Sequence, residues 1–184
     1  MLFRTIAKFE KVSYEQFFED FVKAFNLSET RELEDGTHEI IDLHPIVTKV
    51  YDSIKLPKRA TMGSAGYDFF VPIDLDIVPN TTVKIPTGIR CYIEDGYFLS
   101  LYPRSSLGFK FQMALANTVG IIDADYYNSS NEGHIICGIV NHGDRIISIR
   151  KGDRFCQGIF LPYLLAEEDE VLGKRDGGFG SSGS

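Results

Sequence analysis

Residues 82–96 read TVKIPTGIRCYIEDG, and their apolar side chains recur at every second position. The alternating apolar residues are Val83, Ile85, Ile89, Cys91 and Ile93. Pro86 interrupts the pattern once, and the pair Asp95-Gly96 ends it with a typical turn sequence. Because successive side chains of a strand point to opposite faces, this stretch predicts two short strands that each bury one face.

The same alternation continues downstream, at residues 135–139 and 147–149, and turn-forming residues separate the runs at 79–80, 141–143 and 151–153. Many short strands with frequent turns indicate an all-β sandwich, jelly roll or barrel. A parallel α/β sheet is disfavoured, because no helix-length pattern lies between these strands.

Composition limits the classes of function. The chain has 184 residues and 43% hydrophobic residues, which suits one domain with a real core. Its net charge of −7 argues against a surface that coats nucleic acid or an anionic membrane. An anionic ligand would therefore need a local site.

The cysteines and the N-terminus predict a cytoplasmic protein. Cys91, Cys137 and Cys156 are odd in number and far apart, so we expect reduced, buried packing residues. The first residues show no apolar signal-peptide core, and no apolar run is long enough to cross a membrane.

The first fifty residues differ from the rest of the chain. Residues 13–16 read SYEQ, which fits a helix capping box, and apolar residues then recur at helical spacing. These residues are Phe17, Phe18, Phe21, Val22 and Phe25. The pattern predicts an amphipathic helix over about 13–25 whose apolar face packs on this domain or on a neighbouring subunit. Residues 28–44 are polar and acidic, and predict a loop with one short strand or helical turn.

Five segments are richer in glycine, charge or hydroxyl groups than a β-core requires. They are GSAGYD (63–68), PRSSLG (103–108), NTVGIIDADY (117–126), GDRFCQ (152–157) and GKRDGGFGSSGS (173–184). The small residues of the first segment allow close backbone approach to a ligand, although a tight strand entry with Asp68 in a turn is by itself the better explanation.

The second and third segments carry the groups best suited to chemistry. Arg104 beside Ser105 and Ser106 suits a phosphate cradle, and equally an ordinary turn with an ion pair. Strand alternation would place Asp123 and Asp125 on one face, where one carboxylate could act as a base towards water. An exposed structural pair is the alternative.

The last two segments are weaker signals by themselves. The fourth places Arg154 and Gln157 near the start of a strand, as a plain hairpin also would. The tail has the composition of a flexible linker, yet glycine-rich backbone next to Lys174 and Arg175 could wrap a polyphosphate.

Taken in order, the five segments resemble the five motifs of the trimeric dUTPase (dUTP pyrophosphatase) family, from about residue 54 to the C-terminus. The resemblance implies a jelly-roll-like β-fold at 51–172, a closing tail at 173–184, and a homotrimer with shared sites. Residues 1–50, with their helix, lie outside the usual family core. The reaction implied is hydrolysis of dUTP to dUMP and pyrophosphate with Mg²⁺, which limits uracil in DNA and supplies dUMP for dTMP synthesis.

The resemblance also assigns roles to residues. Asp123 matches the catalytic base, Asp125 the second acid of that motif, and Tyr126 the aromatic residue packed on the sugar. The uracil-reading residues are Asn117, Gly120, Ile121 and Ile122. The phosphate-binding residues are Arg104, Ser105, Ser106 and Gln157. Asp68 would reach the metal through water, and the tail would contribute Lys174, Arg175, Phe179, Gly180 and Ser181.

Three departures from the family pattern stand out. Ser106 occupies a position where glycine is common, and residues 127–132 make a longer turn than is usual. Lys174 stands at the usual position of the tail arginine, so either Lys174 or Arg175 would contact the terminal phosphate.

Two other functions are alternatives to this one. A dCTP deaminase would need a glutamate on the strand after the Asp motif, where this chain has Gly138. A regulatory or binding protein on the same fold would use the phenylalanine-rich helix to dock a protein partner.

Overall fold

The alternating stretches form strands in a computed structural model that describes residues 4–32 and 37–169. The strands are β1 (Ala7–Lys11), β2 (Thr30–Glu32), β3 (His38–Ile40), β4 (Lys58–Arg59), β5 (Tyr67–Phe70), β6 (Leu75–Ile77), β7 (Thr82–Pro86), β8 (Ile89–Ile93), β9 (Tyr97–Pro103), β10 (Met113–Leu115), β11 (Gly120–Ile122), β12 (Ile136–Asn141), β13 (Ile147–Ile149) and β14 (Arg154–Pro162). The helices are α1 (Tyr14–Ala24), α2 (His44–Asp52), α3 (Ser105–Phe111) and a 3₁₀ helix at Ala124–Asn128.

All strand pairs in the described part of the chain are antiparallel. The largest sheet has five strands in the order β11-β9-β14-β5-β4, and a second sheet has the order β10-β12-β7. Three two-stranded sheets complete the fold, namely β1-β8, β13-β6 and β2-β3. The prediction of a mainly β protein is therefore confirmed, although no sheet closes into a barrel within residues 4–32 and 37–169.

The period-two residues form the main core, as their alternation predicts. Along β12, for example, Cys137 and Ile139 are buried between less buried neighbours. Cys91, Cys137 and Cys156 are all buried free thiols, and the Sγ atoms of Cys137 and Cys156 lie 3.8 Å apart. Burial raises the pKa of Cys91 to about 12, so this thiol packs as an apolar group.

Helix α1 begins at the predicted capping serine. The Ser13 Oγ accepts a hydrogen bond from the Gln16 backbone N–H at 3.1 Å. The reciprocal half of the predicted capping box is wrong, because the Gln16 side chain donates to Asp20 at 2.9 Å instead of bonding the Ser13 N–H. That N–H donates to Glu132, a residue far away in the sequence.

The phenylalanine face of α1 packs on its own chain. Phe17 and Phe21 are buried with Val47 and Val50 of α2, and Phe18, Val22 and Phe25 pack against the same cluster. The sequence left open whether this face packs on its own domain or on a neighbouring subunit, and the structure shows that it packs on its own chain. Within residues 28–44, the described backbone forms the short β2-β3 hairpin.

No helix among the described residues is long and apolar enough to span a membrane.

The N-terminal cluster should contribute to the stability of the whole chain. We expect Phe17→Ala to lower the free energy of unfolding by about 3–5 kcal/mol, because Phe17 is fully buried and its removal leaves a cavity. Urea unfolding followed by circular dichroism measures the change. As a control, Ile40→Ala should cost no more than about 0.5 kcal/mol, since Ile40 is 84% exposed. Equal losses for the two variants would contradict the packing described here.

Candidate active site

The five-stranded sheet brings four of the five segments onto neighbouring strands. The third segment includes β11, the second ends β9, the fourth begins β14, and the first includes the start of β5. Their order in the sheet is β11-β9-β14-β5, so segments far apart in sequence become adjacent in space. The fifth segment, with Lys174, Arg175, Phe179, Gly180 and Ser181, lies outside the described residues.

Asp68 is the point where three of these segments meet. Its Oδ1 accepts a hydrogen bond from Arg104 Nη1 at 2.7 Å, and its Oδ2 accepts one from Arg154 Nη1 at 3.2 Å. The Asp68 side chain is 8% exposed, whereas those of Arg104 and Arg154 are 24% and 47% exposed. One buried carboxylate thus fixes two guanidinium groups and leaves the junction with a net positive charge, suited to an anion.

A pocket of about 270 Å³ opens beside this junction. It is lined by Lys58, Ala60, Asp68, Phe70, Gly152, Asp153 and Arg154. The Lys58 Nζ lies 6.0 Å from the centre of the Phe70 ring, so a second cation borders the pocket. Neither Lys58 nor the pairing of Arg154 with Asp68 was predicted from the sequence.

The glycine-rich first segment is shaped by contacts within the protein. Arg59 Nη1 donates to the carbonyl oxygens of Met62 at 2.9 Å and Ser64 at 3.1 Å, which holds the loop. A Cβ at Gly66 would lie 2.7 Å from Gln157 Oε1, so a larger residue there would displace the end of this side chain from the fourth segment. The close contact seen here is with a side chain of the same chain, and close approach of this backbone to a ligand stays a prediction.

The third segment corrects one prediction about the acidic pair. The strand ends at Ile122, and residues from Ala124 form a 3₁₀ helix in which the Tyr126 N–H donates to the Asp123 carbonyl at 3.2 Å. Asp123 and Asp125 therefore do not share one strand face. The backbone hydrogen bonds of this 3₁₀ helix replace the ladder bonds of a strand, so period-two alternation no longer sets the directions of these side chains.

Asp123 and the arginine junction lie at opposite ends of the sheet within one chain. Gly120 pairs with Leu101 and Ile122 with Leu99, so Asp123 follows at the level of Phe98. Arg104 continues the opposite end of β9, with its N–H donating to the Phe155 carbonyl at 3.1 Å. Six residues of extended chain correspond to about 20 Å. A single chain does not bring these two groups together.

The other predicted site residues fall into two environments. Asn117, Ser105 and Ser106 are exposed, and Gln157 is half-buried opposite Asp68 in the sheet. Tyr126 is buried, its hydroxyl donating to the His134 carbonyl at 2.8 Å and accepting from Asn131 Nδ2 at 2.9 Å. These two partners were missed, because nothing in the local pattern indicates that residues 129–134 fold back on Tyr126.

Comparison with known proteins identifies the family of this arrangement. The family model described as dUTPase matches residues 52–183. The chain belongs to the dUTPase family. A Lactococcus lactis relative, named deoxyuridine 5'-triphosphate nucleotidohydrolase, is 43% identical over 143 residues, which covers 76% of this chain and 95% of the relative.

Further relatives agree with this dUTPase assignment. A Legionella pneumophila protein of the same name is 37% identical over 154 residues, covering 79% of this chain and 98% of its own. The crystal structure of dUTPase from Streptococcus mutans is 36% identical with a TM-score of 0.57, and the match covers 75% of this chain and 98% of that one. The dUTPase family match leaves the first 51 residues outside it.

Loss of the buried Asp68 carboxylate should destabilise the protein more than loss of an exposed aspartate. We expect Asp68→Asn to lower the free energy of unfolding by about 1.5–3 kcal/mol, because two hydrogen bonds from charged groups lose their buried anionic acceptor. Asp76→Asn removes an ion pair with Arg150 whose side chains are 57% and 56% exposed, and should cost at most about 1 kcal/mol. Chemical denaturation of both variants measures the difference, and a reversed order would refute the role given to Asp68.

Proposed function

We propose that the chain hydrolyses dUTP to dUMP and pyrophosphate. The observation that carries this proposal is the adjacency of four family motifs on β11, β9, β14 and β5, with Asp68 holding Arg104 and Arg154 beside an open pocket. Relatives that share 37–43% identity over most of their length are named as deoxyuridine 5'-triphosphate nucleotidohydrolases. In the cell this reaction limits uracil in DNA and supplies dUMP for dTMP synthesis.

The reaction needs a base and a cationic phosphate site. Asp123 takes a proton from water, and the water oxygen forms a bond to the α-phosphorus. The bond from that phosphorus to the oxygen bridging to the β-phosphate breaks, and pyrophosphate leaves with the electron pair. Arg104 has further N–H donors besides the one bound to Asp68, and these bind phosphate oxygens together with Ser105, Ser106 and Gln157.

The donor set fits Mg²⁺ carried by the triphosphate. No group of three or more His, Cys, Asp or Glu side chains close enough to bind a metal occurs in the described part of the chain. Mg²⁺ needs few protein ligands when phosphates and waters fill its coordination shell, and Asp68 borders the pocket as an acceptor for one such water. When bound, the ion would neutralise charge on the triphosphate.

The remaining family roles concern selectivity and closure. Asn117 and the backbone of Gly120, Ile121 and Ile122 would read the uracil edge, with Tyr126 against the sugar. The tail would close over the site, with Phe179, Gly180 and Ser181 near the base and Lys174 or Arg175 on the terminal phosphates. Asp125 would support this motif as its second acid, within a jelly-roll-like fold.

We propose further that the active sites are shared between copies in a homotrimer. Asp123 and Arg104 lie at opposite ends of the five-stranded sheet, about 20 Å apart along β9. A triphosphate held by Arg104 would therefore meet the Asp123 of a neighbouring copy. This arrangement explains why one chain alone separates its base from its phosphate-binding group.

Specific contacts disfavour the two alternatives. A Cβ at Gly138 would lie 3.1 Å from the Cβ of Ala116, so the glutamate of a dCTP deaminase would be crowded at this position. The phenylalanine face of α1 is occupied by its own chain, so it is not available to dock a protein partner.

Substrate selectivity tests the proposed reaction. Purified protein with Mg²⁺ should release pyrophosphate from dUTP much faster than from UTP, dTTP or dCTP. Asp123→Asn should lower kcat by at least about 100-fold, because the base is lost while the binding groups remain. A coupled pyrophosphate assay and dUTP titration calorimetry measure turnover and binding. Absence of pyrophosphate from dUTP would overturn the proposal.

Subunit mixing tests the shared site. Asp123→Asn and Arg104→Ala chains, each inactive alone, should regain activity when co-expressed in one cell. Random mixing in a trimer leaves about a quarter of the sites with both residues intact. If both residues came from one chain, no intact site would form and the mixture would stay inactive.

A further inference from the structure

The turn after Tyr126 is folded onto that residue. The Ser129 Oγ donates to the Tyr126 carbonyl at 2.7 Å, and Asn131 Nδ2 donates to its hydroxyl at 2.9 Å. At Gly133, where φ is +71°, a Cβ would lie 2.7 Å from the Tyr126 carbonyl oxygen. Residues 129–134, which we call the 129–134 turn, therefore set both the backbone and the hydroxyl of Tyr126.

Helix α1 contacts this turn at two places. At its start, the Glu132 carboxylate accepts hydrogen bonds from the Ser13 N–H at 2.8 Å and from the Ser13 hydroxyl at 2.7 Å. About two turns along, Asp20 Oδ2 lies 2.6 Å from His134 Nδ1. Both contacts span more than 110 residues of sequence, so the N-terminal region and the 129–134 turn are held together only by folding.

The hydrogen bond between His134 and Asp20 has a defined donor. His134 is fully buried, and its Nε2 accepts a hydrogen bond from the Gly88 N–H at 2.8 Å. Because a backbone N–H only donates, the ring proton sits on Nδ1 and is donated to Asp20. Burial acts to raise the pKa of Asp20, but hydrogen bonds from His134 and Gln16 outweigh it and lower the pKa below its ordinary value.

Tyr127, the residue next to Tyr126, is also held by contacts with distant parts of the chain. The Arg90 guanidinium lies 3.7 Å from the centre of the Tyr127 ring, and its Nη2 donates to the Tyr127 carbonyl at 2.8 Å. The Tyr127 hydroxyl donates to Glu10 of β1. Strand β1 and helix α1, both outside the family match, thus contact the segment that follows Tyr126.

We infer that α1 is a positioning element for the sugar-binding part of the active site. Through Glu132 and His134 it fixes the 129–134 turn, and through Asn131 and the His134 carbonyl that turn fixes Tyr126. Ser13, Asp20, Asn131, Glu132 and His134 are positioning residues in this inference. It rests on the proposed function, which places Tyr126 against the deoxyribose.

The expected consequence is a loss of sugar discrimination. With the two α1 contacts broken, the Tyr126 hydroxyl loses the fixed partners that hold its ring. The space reserved for a 2'-deoxy sugar then tolerates a hydroxyl. Asp123 directly follows β11, whose pairing with β9 through Ile122 does not involve the α1 contacts, so the chemical step should change less than the binding of the sugar.

Kinetic parameters for dUTP and UTP test the inference. Asp20→Ala and Glu132→Ala should each lower the dUTP-to-UTP ratio of kcat/KM by about threefold to tenfold. The KM for dUTP should rise, with kcat changed by less than about twofold. Asp20→Asn and Glu132→Gln retain an acceptor oxygen and should largely restore the ratio. Glu19→Ala, an exposed position on the same helix, is the matched control and should leave the ratio unchanged.

Hydrogen exchange supplies a readout that does not depend on turnover. The amides of Tyr126, Ser129, Glu132 and His134 donate within this segment and should lose protection in Asp20→Ala and Glu132→Ala but not in Glu19→Ala. Adding Asn131→Ala to Glu132→Ala should lower the dUTP-to-UTP ratio by less than the product of the single effects, because both changes break one chain of contacts.

The outcomes separate the two proposals. A wild-type protein that hydrolyses dUTP, with unchanged ratios in folded Asp20→Ala and Glu132→Ala variants, would overturn the inference and leave the proposed function standing. Equal losses for dUTP and UTP would likewise overturn it in favour of a purely structural role. A wild-type protein inactive on dUTP would overturn the proposed function. If the variants still showed the expected loss of amide protection, the contact of α1 with the 129–134 turn would stand, but without a role in sugar selection.

Discussion

The pairing of β9 with β14 is the constraint on which the candidate site depends. Its register places Tyr102 opposite Gln157, and the next pairing places Gln157 opposite Asp68. A slip by one residue would turn every side chain of β14 to the other face and break this alignment. Gly158 fixes the register further, because a Cβ there would lie 2.7 Å from Leu99 Cδ1. The sheet and the site are therefore specified by the same contacts.

Charge is distributed so that an acidic chain carries a cationic site. The net charge of −7 is a property of the whole sequence, whereas Asp68 gathers Arg104 and Arg154 at one end of one sheet. The buried carboxylate orients the two guanidinium groups and prevents them from repelling each other apart. An anion bound there meets positive charge at short range, where solvent screening is weakest. The net negative charge therefore excludes a broad surface for binding a polyanion, but it does not exclude a local site for a triphosphate.

The N-terminal region is joined to the β-domain by two kinds of interaction. Phe17 and Phe21 supply apolar burial against α2, which is not directional. The hydrogen bonds that Ser13 donates to Glu132 and that His134 donates to Asp20 are directional, and they determine where α1 sits relative to the 129–134 turn. Each acceptor is a half-buried carboxylate whose pKa is lowered by its hydrogen-bond donors, despite the opposing effect of burial. The position of α1 is thereby connected to Tyr126, which the 129–134 turn contacts.

Features that depend on neighbouring residues could be predicted from the sequence alone. Period-two alternation predicted the strands around Ile89 and Ile139, Ser13 marked the start of α1, and five motifs in order indicated the family. The folded chain was needed to show which distant groups meet. It pairs Arg154 with Asp68 across 86 residues and Glu132 with Ser13 across 119, and it places Asp123 far from Arg104. It also ends the strand at Ile122 and begins a 3₁₀ helix at Ala124, so Asp123 and Asp125 do not share one strand face. The physical reason is the same in each case, because local periodicity encodes which face a residue occupies but not the register that selects its partner.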